Sequence, residues 1–172
     1  MQHTLQREDG AGAEHQQYLT FRLGDETFAM PILMIKEILE YPDLTRVPLM
    51  APCVRGVLNL RGRVVPVVDL AVRFDRPESQ PTRRTCVVIV EVETEGEQMD
   101  IGLIVDGVNQ VIEIPATDIE PPPTFGAKLR TDFIRGMGKV NGAFVVILDG
   151  TTVLSISEIS SLGQQAEQST AA

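Results

Sequence analysis

One motif is written twice in this chain, and the duplication limits the fold more than any other feature of the sequence. Val54–Leu70 reads VRGVLNLRGRVVPVVDL, and Ile134–Gly150 reads IRGMGKVNGAFVVILDG. Arg55, Gly56, Gly62, Val65 and Asp69 return as Arg135, Gly136, Gly142, Val145 and Asp149, all at an offset of 80. Each copy is two apolar runs joined at a glycine that tolerates positive φ, the pattern of a tight β-hairpin. An internal repeat means two copies of one unit. Upstream, Ile32, Ile35 and Ile38 return as Val105, Val108 and Val111 at an offset of 73. A proline-bearing stretch follows in both copies, with Pro42 and Pro48 in the first and Pro115 and Pro121 to Pro123 in the second.

Taken in order, Met1–Gln17 is polar and without periodicity, which predicts a flexible tail. The first copy then predicts strands at Tyr18–Leu23, Glu26–Met30, Glu37–Tyr41, Val54–Leu60 and Arg63–Asp69. Pro31 opens a single helical turn, Ile32–Lys36. Pro66 has no N–H to give a ladder, so its strand should lie at an edge or carry a bulge. Asp75–Thr82 is the connection between copies. The second copy predicts strands at Arg84–Glu93, Gln98–Val105, Asn109–Ile114, Phe133–Val140 and Ala143–Leu148, with a long loop over Pro115–Arg130. Thr151–Leu162 has helical spacing, and Gly163–Ala172 is a polar, disordered end. The expected fold is all-β. Two tandem five-stranded barrels, one about 18–74 and the other about 83–149, pack together with a short C-terminal helix about 151–162. Barrels this small are marginal alone, so they share a seam, where the largest apolar groove is expected.

Composition excludes several function classes. Lys and Arg number 15 against 24 Asp and Glu, and basic residues form no stripe, which argues against nucleic acid. Aromatics make up 5% of the chain and are scattered, so no stacking platform for bases is present. Both histidines, His3 and His15, fall in the predicted tail, leaving neither for a catalytic or zinc role. Cys53 and Cys86 have no partner spacing for zinc and read as reduced core residues. No glycine-rich phosphate loop precedes a long helix. Asp69 and Asp149 occupy one place in two copies, as do Arg55 and Arg135, so a strand-end cap or local ion pair explains them better than catalysis. No cofactor is implied, and no enzyme. No apolar run has the length of a membrane span, so a cytoplasmic protein without direct membrane insertion is expected. Protein binding remains, through apolar residues in proline-stiffened loops and unpaired strand edges.

The segments FRLGDETFAMPILMIKEI, RVPLMAPCVRGVLNLRGRVVPVVDL, VVIVEV, GLIVDGVNQV, IEPPP and FIRGMGKV together resemble the CheW family of chemotaxis coupling proteins, from about Tyr18 to Leu162. The resemblance implies two intertwined SH3-like barrels. It implies a scaffold that links the cytoplasmic tips of chemoreceptors to the regulatory domain of a CheA-type histidine kinase, with recruitment to membrane receptor arrays. By this likeness Ile35, Glu37, Gly56 and Arg61 fall in the receptor-facing region, and Val87 and Val88 on a groove wall in the second barrel. Val47, Leu49 and Val57 are the kinase contacts it suggests, and Glu120 with Phe125 a second kinase interface. Cys53, where the family commonly has a larger residue, and Glu120, where it can have a basic one, depart from the pattern. A CheW-like adaptor of a parallel pathway, controlling pili or gene expression, would share all of these features.

Overall fold

Val- and Ile-rich runs broken by glycine-bearing turns give the strands of this computed structural model, which describes residues 15–94, 96–122 and 133–155. The first copy supplies β1 (His15–Leu23), β2 (Glu26–Pro31), β3 (Ile35–Glu40), β4 (Val54–Leu60) and β5 (Arg63–Asp69). The second supplies β6 (Cys86–Thr94), β7 (Glu97–Val105), β8 (Gly107–Pro115), β9 (Ile119–Glu120), β10 (Ile134–Val140) and β11 (Ala143–Leu148). Single helical turns, α1 (Leu70–Arg73) and α2 (Gly150–Val153), follow the two repeat hairpins. Short 3-10 turns at Ile32–Met34 and Ala116–Asp118 follow Pro31 and Pro115. All ten predicted strands are present, and β9 is an addition inside the stretch read as loop. The helix expected over 151–162 is a single turn, Gly150–Val153, capped at Leu154, and residues 156–162 lie outside the described residues.

The strands pair in two sheets of the same plan, ordered β3-β6-β7-β5-β4 and β8-β1-β2-β11-β10-β9. Each copy has therefore given its first hairpin, β1-β2 or β6-β7, to the other copy's barrel. This corrects the expected boundaries. One barrel runs continuously from β3 to β7, and the other joins β1-β2 to β8–β11. A physical reason lies in the crossover from β7 to β8. Only Asp106 separates them, too little for the two-residue turn that would pair them as a hairpin. Asp106 is instead tied to the β1-β2 turn: its N–H donates to Arg22 O at 2.9 Å, and its Oδ2 accepts from Gly24 N at 2.7 Å. Each borrowed hairpin pairs antiparallel with its new sheet on one side, β6 with β3 and β1 with β8, and parallel on the other, Val67 to Gly102 and Ile147 to Ala29.

Pro66 is not at an edge, since β5 lies between β4 and β7. The β5–β7 ladder starts only at Val67, so the missing N–H at Pro66 costs no bond. Both repeat hairpins carry a bulge at the shared arginine, Arg55 in one and Arg135 in the other. Three cores result. Leu58, Val65, Val67, Val87, Ile89 and Ile104 fill the first barrel, and Tyr18, Ala29, Ile114, Val145 and Ile147 the second. The third and largest occupies the seam. There Phe21, Phe28, Phe74 and Phe133 pack in series with ring centroids 6.2, 5.6 and 5.8 Å apart. The seam is thus a filled core and not the apolar groove expected from sequence.

Candidate protein-docking site

The first barrel ends in a charged mouth between β3, the β4-β5 hairpin, β6 and β7. Its cavity of about 190 Å³ is lined by Lys36, Glu37, Leu60, Arg61, Arg63, Val65, Ile89 and Asp100. Strand alternation puts Glu37 on the same side of β3 as Leu39, which packs on the barrel interior. The hairpin tip brings Arg61 to it. Arg61 Nη2 donates to Glu37 Oε1 at 2.6 Å and to Oε2 at 3.0 Å. Deeper in, Asp100 is 7% exposed and lies between two cations, with Lys36 Nζ at 3.1 Å and Arg63 Nη1 at 3.3 Å. Glu91 completes the set at 3.7 Å from Lys36 Nζ.

Backbone strain marks the same tip. Arg61 and Gly62 have φ of +53° and +84°, the double left-handed conformation of a two-residue hairpin turn. The second hairpin repeats it with Asn141 and Gly142 at +51° and +81°. Asn suits that conformation and Arg does not. Asn59 Oδ1 steadies the first tip by accepting from Gly62 N at 2.9 Å.

The remaining sequence-based assignments divide. Ile35 is half-buried and packs on the seam core beside the mouth. Gly56 is buried, and a Cβ there would stand 2.6 Å from the carbonyl oxygen of Thr45. The chain at Thr45 crosses β4 at this point, with Thr45 N to Val57 O at 2.9 Å and Val57 N to Thr45 O at 2.8 Å. Gly56 therefore serves close backbone approach to the chain at Thr45 and offers no surface. Val87 and Val88 are corrected. At 0% and 1% exposure they lie inside β6, Val87 facing the first barrel's interior and Val88 the seam. Their strand also belongs to the barrel containing β3, not to the second one. Neither valine lines a surface.

Val47 and Leu49 are exposed on the loop between β3 and β4, and Val57 is half-buried beneath the Thr45 crossing. Leu49 carries a φ of +63°, a left-handed conformation that is uncommon for a leucine. Sequence reading missed Met50, exposed beside Leu49, and Leu33, which is 96% exposed on the first 3-10 turn. It also missed Lys36, Arg63 and Asp100. Glu120 is exposed on β9, whose pairing reaches Met137 and Gly138. Phe125 lies outside the described residues.

Arg55 and Asp69 form an enclosed ion pair, Nη2 to Oδ2 at 2.5 Å, behind the mouth. Asp69 also caps α1 by accepting from Ala71 N at 3.0 Å, and it accepts from Ser79 N and Ser79 Oγ at 2.9 Å each. Burial works against the Arg55 charge, but the hydrogen bond and charge of Asp69, with Tyr41 and Glu78, prevail and raise its pKa. Among the described residues no group of His, Cys, Asp and Glu could hold a metal ion, and no helix is long and apolar enough to cross a membrane. Cys53 is buried in the seam core and Cys86 is half-buried on β6. Burial, and then the charge of Glu40, push the Cys86 thiol up from its ordinary value.

Comparison with known proteins names the arrangement. The CheW-like domain family matches residues 17–158, most of the chain. The chain belongs to the CheW-like family. Among relatives of this CheW-like chain, the chemotaxis protein CheW of Klebsiella aerogenes is 33% identical over 144 residues, 84% of either chain. Protein PilI of Pseudomonas aeruginosa is 36% identical over 120 residues, covering 68% of this chain and 64% of PilI. The crystal structure of the scaffolding protein TtCheW from Thermoanaerobacter tengcongensis superposes with a TM-score of 0.70 at 30% identity, covering 78% of this chain and 84% of that one. The two-barrel fold is thus shared with a CheW scaffold.

Proposed function

We propose that this chain is a non-catalytic adaptor that couples the cytoplasmic tips of chemoreceptors to a CheA-type histidine kinase in bacterial chemotaxis signalling. The observation that carries this reading is the family match over 17–158, which takes in nearly all of the described residues. A receptor tip docks at the charged mouth, on Ile35, Glu37 and Arg61. The kinase regulatory domain docks on Val47 and Leu49, because a loop held by Pro48 and Pro52 loses little entropy on binding. Val57 supports that loop from below. Glu120 and Phe125 make a second kinase contact that extends the assembly. The protein works in the cytoplasm, at receptor arrays on the membrane, with no cofactor of its own. The parallel-pathway reading ranks second, since the likeness to PilI spans a smaller share of the chain than the likeness to CheW.

Four substitutions test these placements. Val47→Asp and Leu49→Asp should each weaken binding of a kinase regulatory domain by about tenfold or more at unchanged Tm. Unchanged affinity in both variants would remove the kinase from this loop. Ile35→Asp should abolish binding of a receptor-tip fragment while the protein stays folded, and unfolding would return Ile35 to the core. Phe125→Ser should leave binary kinase binding intact and lose higher-order assembly.

A further inference from the structure

The hairpin exchange brings three chain segments to one place: the end of the β1-β2 hairpin, the connection between copies, and the crossover residue Asp106. Between them lies a cavity of about 460 Å³, a volume that holds a small metabolite. The hairpin contributes Arg22 and Leu23, α1 contributes Ala71, and the connection contributes Pro77, Gln80 and Thr82. None of the residues assigned above to a receptor or a kinase lines it. Asp106 stands six residues beyond Asp100 along β7, which puts this cavity roughly 20 Å from the charged mouth.

Charge in this cavity is unbalanced. Both carboxylates of its lining are engaged elsewhere: Asp106 Oδ2 accepts from Gly24 N at 2.7 Å, and Glu78 turns to Arg55 at 3.7 Å and Arg46 at 4.0 Å. Arg76 is paired with Glu26 and lies over the Phe28 ring. Arg22 is half-buried and pairs with no carboxylate among the described residues. Its guanidinium rests against Gly107, where a Cβ would stand 3.0 Å from Nη2. The fold does not require a cation at this position. Val108 and Val111 of β8 face Phe21 and Leu19 as Ile35 and Ile38 of β3 face Val90 and Val88, so Arg22 corresponds to Glu91. Glu91 has Lys36 Nζ at 3.7 Å, whereas Arg22 has no such counter-charge. A half-buried guanidinium left in this way carries a desolvation cost that a bound anion would offset.

We propose that this cavity binds a small organic anion whose phosphate or carboxylate group pairs with Arg22. The planar guanidinium offers either group two parallel donors. Gln80 is exposed on the lining and has no side-chain hydrogen bond among the described residues, so its amide can orient a further polar group. Leu23, Ala71 and Pro77 cover the carbon skeleton. The lining is recessed between three chain segments, which suits a small molecule and not the face of a macromolecule. Because those segments come from both copies, an occupant ties them together and stabilises the folded chain.

The test titrates the full-length protein with phenyl phosphate, with benzoate, and with inorganic phosphate as the bare anion, and follows amide chemical shifts. At least one of the two organic anions should give saturable shifts at Gly24, Ser79, Gln80 and Asp106, and should bind more tightly than inorganic phosphate. A preference for phenyl phosphate assigns a phosphate ester, and a preference for benzoate a carboxylic acid. Arg22→Gln should weaken the binding about tenfold or more, the scale of a hydrogen bond to a charged group. Lys139→Gln, which removes an exposed cation on β10, should leave it unchanged. Two milder variants keep the test in force should Arg22→Gln fail to fold. Arg22→Lys keeps the charge without the paired donors, and Gly107→Ala keeps the arginine and displaces its end. Both should bind more weakly than the unaltered protein. Saturating anion should raise Tm in the unaltered protein and not in Arg22→Gln. Shifts that fail to saturate with either organic anion would overturn the proposal. So would equal affinity for inorganic phosphate, the mark of an adventitious ion only, or wild-type affinity in the Arg22 variants.

Discussion

In the first repeat hairpin, Arg55 folds back on Asp69, and Ser79 closes over the pair from the connection between copies. In the second, Arg135 is exposed, and Asp149 accepts from Thr151 N at 3.1 Å and Thr152 N at 3.3 Å. The backbone duties are the same in both. Each arginine is the bulged residue, each aspartate caps the helical turn that follows, and Asp69 N–H and Asp149 N–H reach Cys53 O and Phe133 O at 2.7 and 2.8 Å. The electrostatic duties differ, because the connection between copies meets Asp69 alone. Identity at repeat positions therefore preserves chain geometry, and the surroundings decide what the side-chain charge does.

Replacing the two aspartates should separate these duties most widely. Asp69→Ala strands Arg55 without its buried partner and should cost about 3–5 kcal/mol. Asp149→Ala loses a helix cap and should cost about 1 kcal/mol. Urea denaturation measures both, and equal losses would break the distinction. The paired glycines come next. At Gly56 a new methyl meets the Thr45 carbonyl, which is fixed by two backbone hydrogen bonds, whereas at Gly136 it first meets Ile119 Cγ2, also at 2.6 Å. Gly56→Ala should cost about 2–3 kcal/mol and Gly136→Ala about 1 kcal/mol, since only the side chain can yield. Similar values would mean that the strand at Thr45 moves as readily as a side chain. The smallest effect belongs to the tips. Asn141→Arg should lower stability by about 1 kcal/mol through left-handed strain. Arg61→Asn should change it little, because relief of that strain is offset by loss of an exposed pair worth about 0–1 kcal/mol.

Much of this was legible in the sequence. The offsets of 73 and 80 both correspond to real structural equivalence, β3 with β8 and the repeat hairpins with each other. The capping role of Asp69 and Asp149 also followed from their shared place at the ends of the repeat strands. The hairpin exchange did not, since strand pattern fixes which residues alternate and says nothing about which sheet a strand joins. The valines of β6 were misplaced for a related reason. Cys86–Val90 is apolar at every position, and a strand buried on both faces has no alternation to show which side is covered. The charged network at Asp100 depends on β7 standing between β6 and β5, so it could be seen only once the exchange was known.

Coupling requires both partners on one molecule at once. Sedimentation velocity on an equimolar mixture of this protein, a kinase regulatory domain and a receptor-tip fragment measures that directly. The predicted result is a ternary species heavier than either binary complex, with the affinity for each partner unchanged by the other. It should be lost to the kinase alone in Leu49→Asp and to the receptor alone in Glu37→Gln/Arg61→Asn. Mutual displacement of the two partners, or failure of either to bind the unaltered protein, would contradict the adaptor reading.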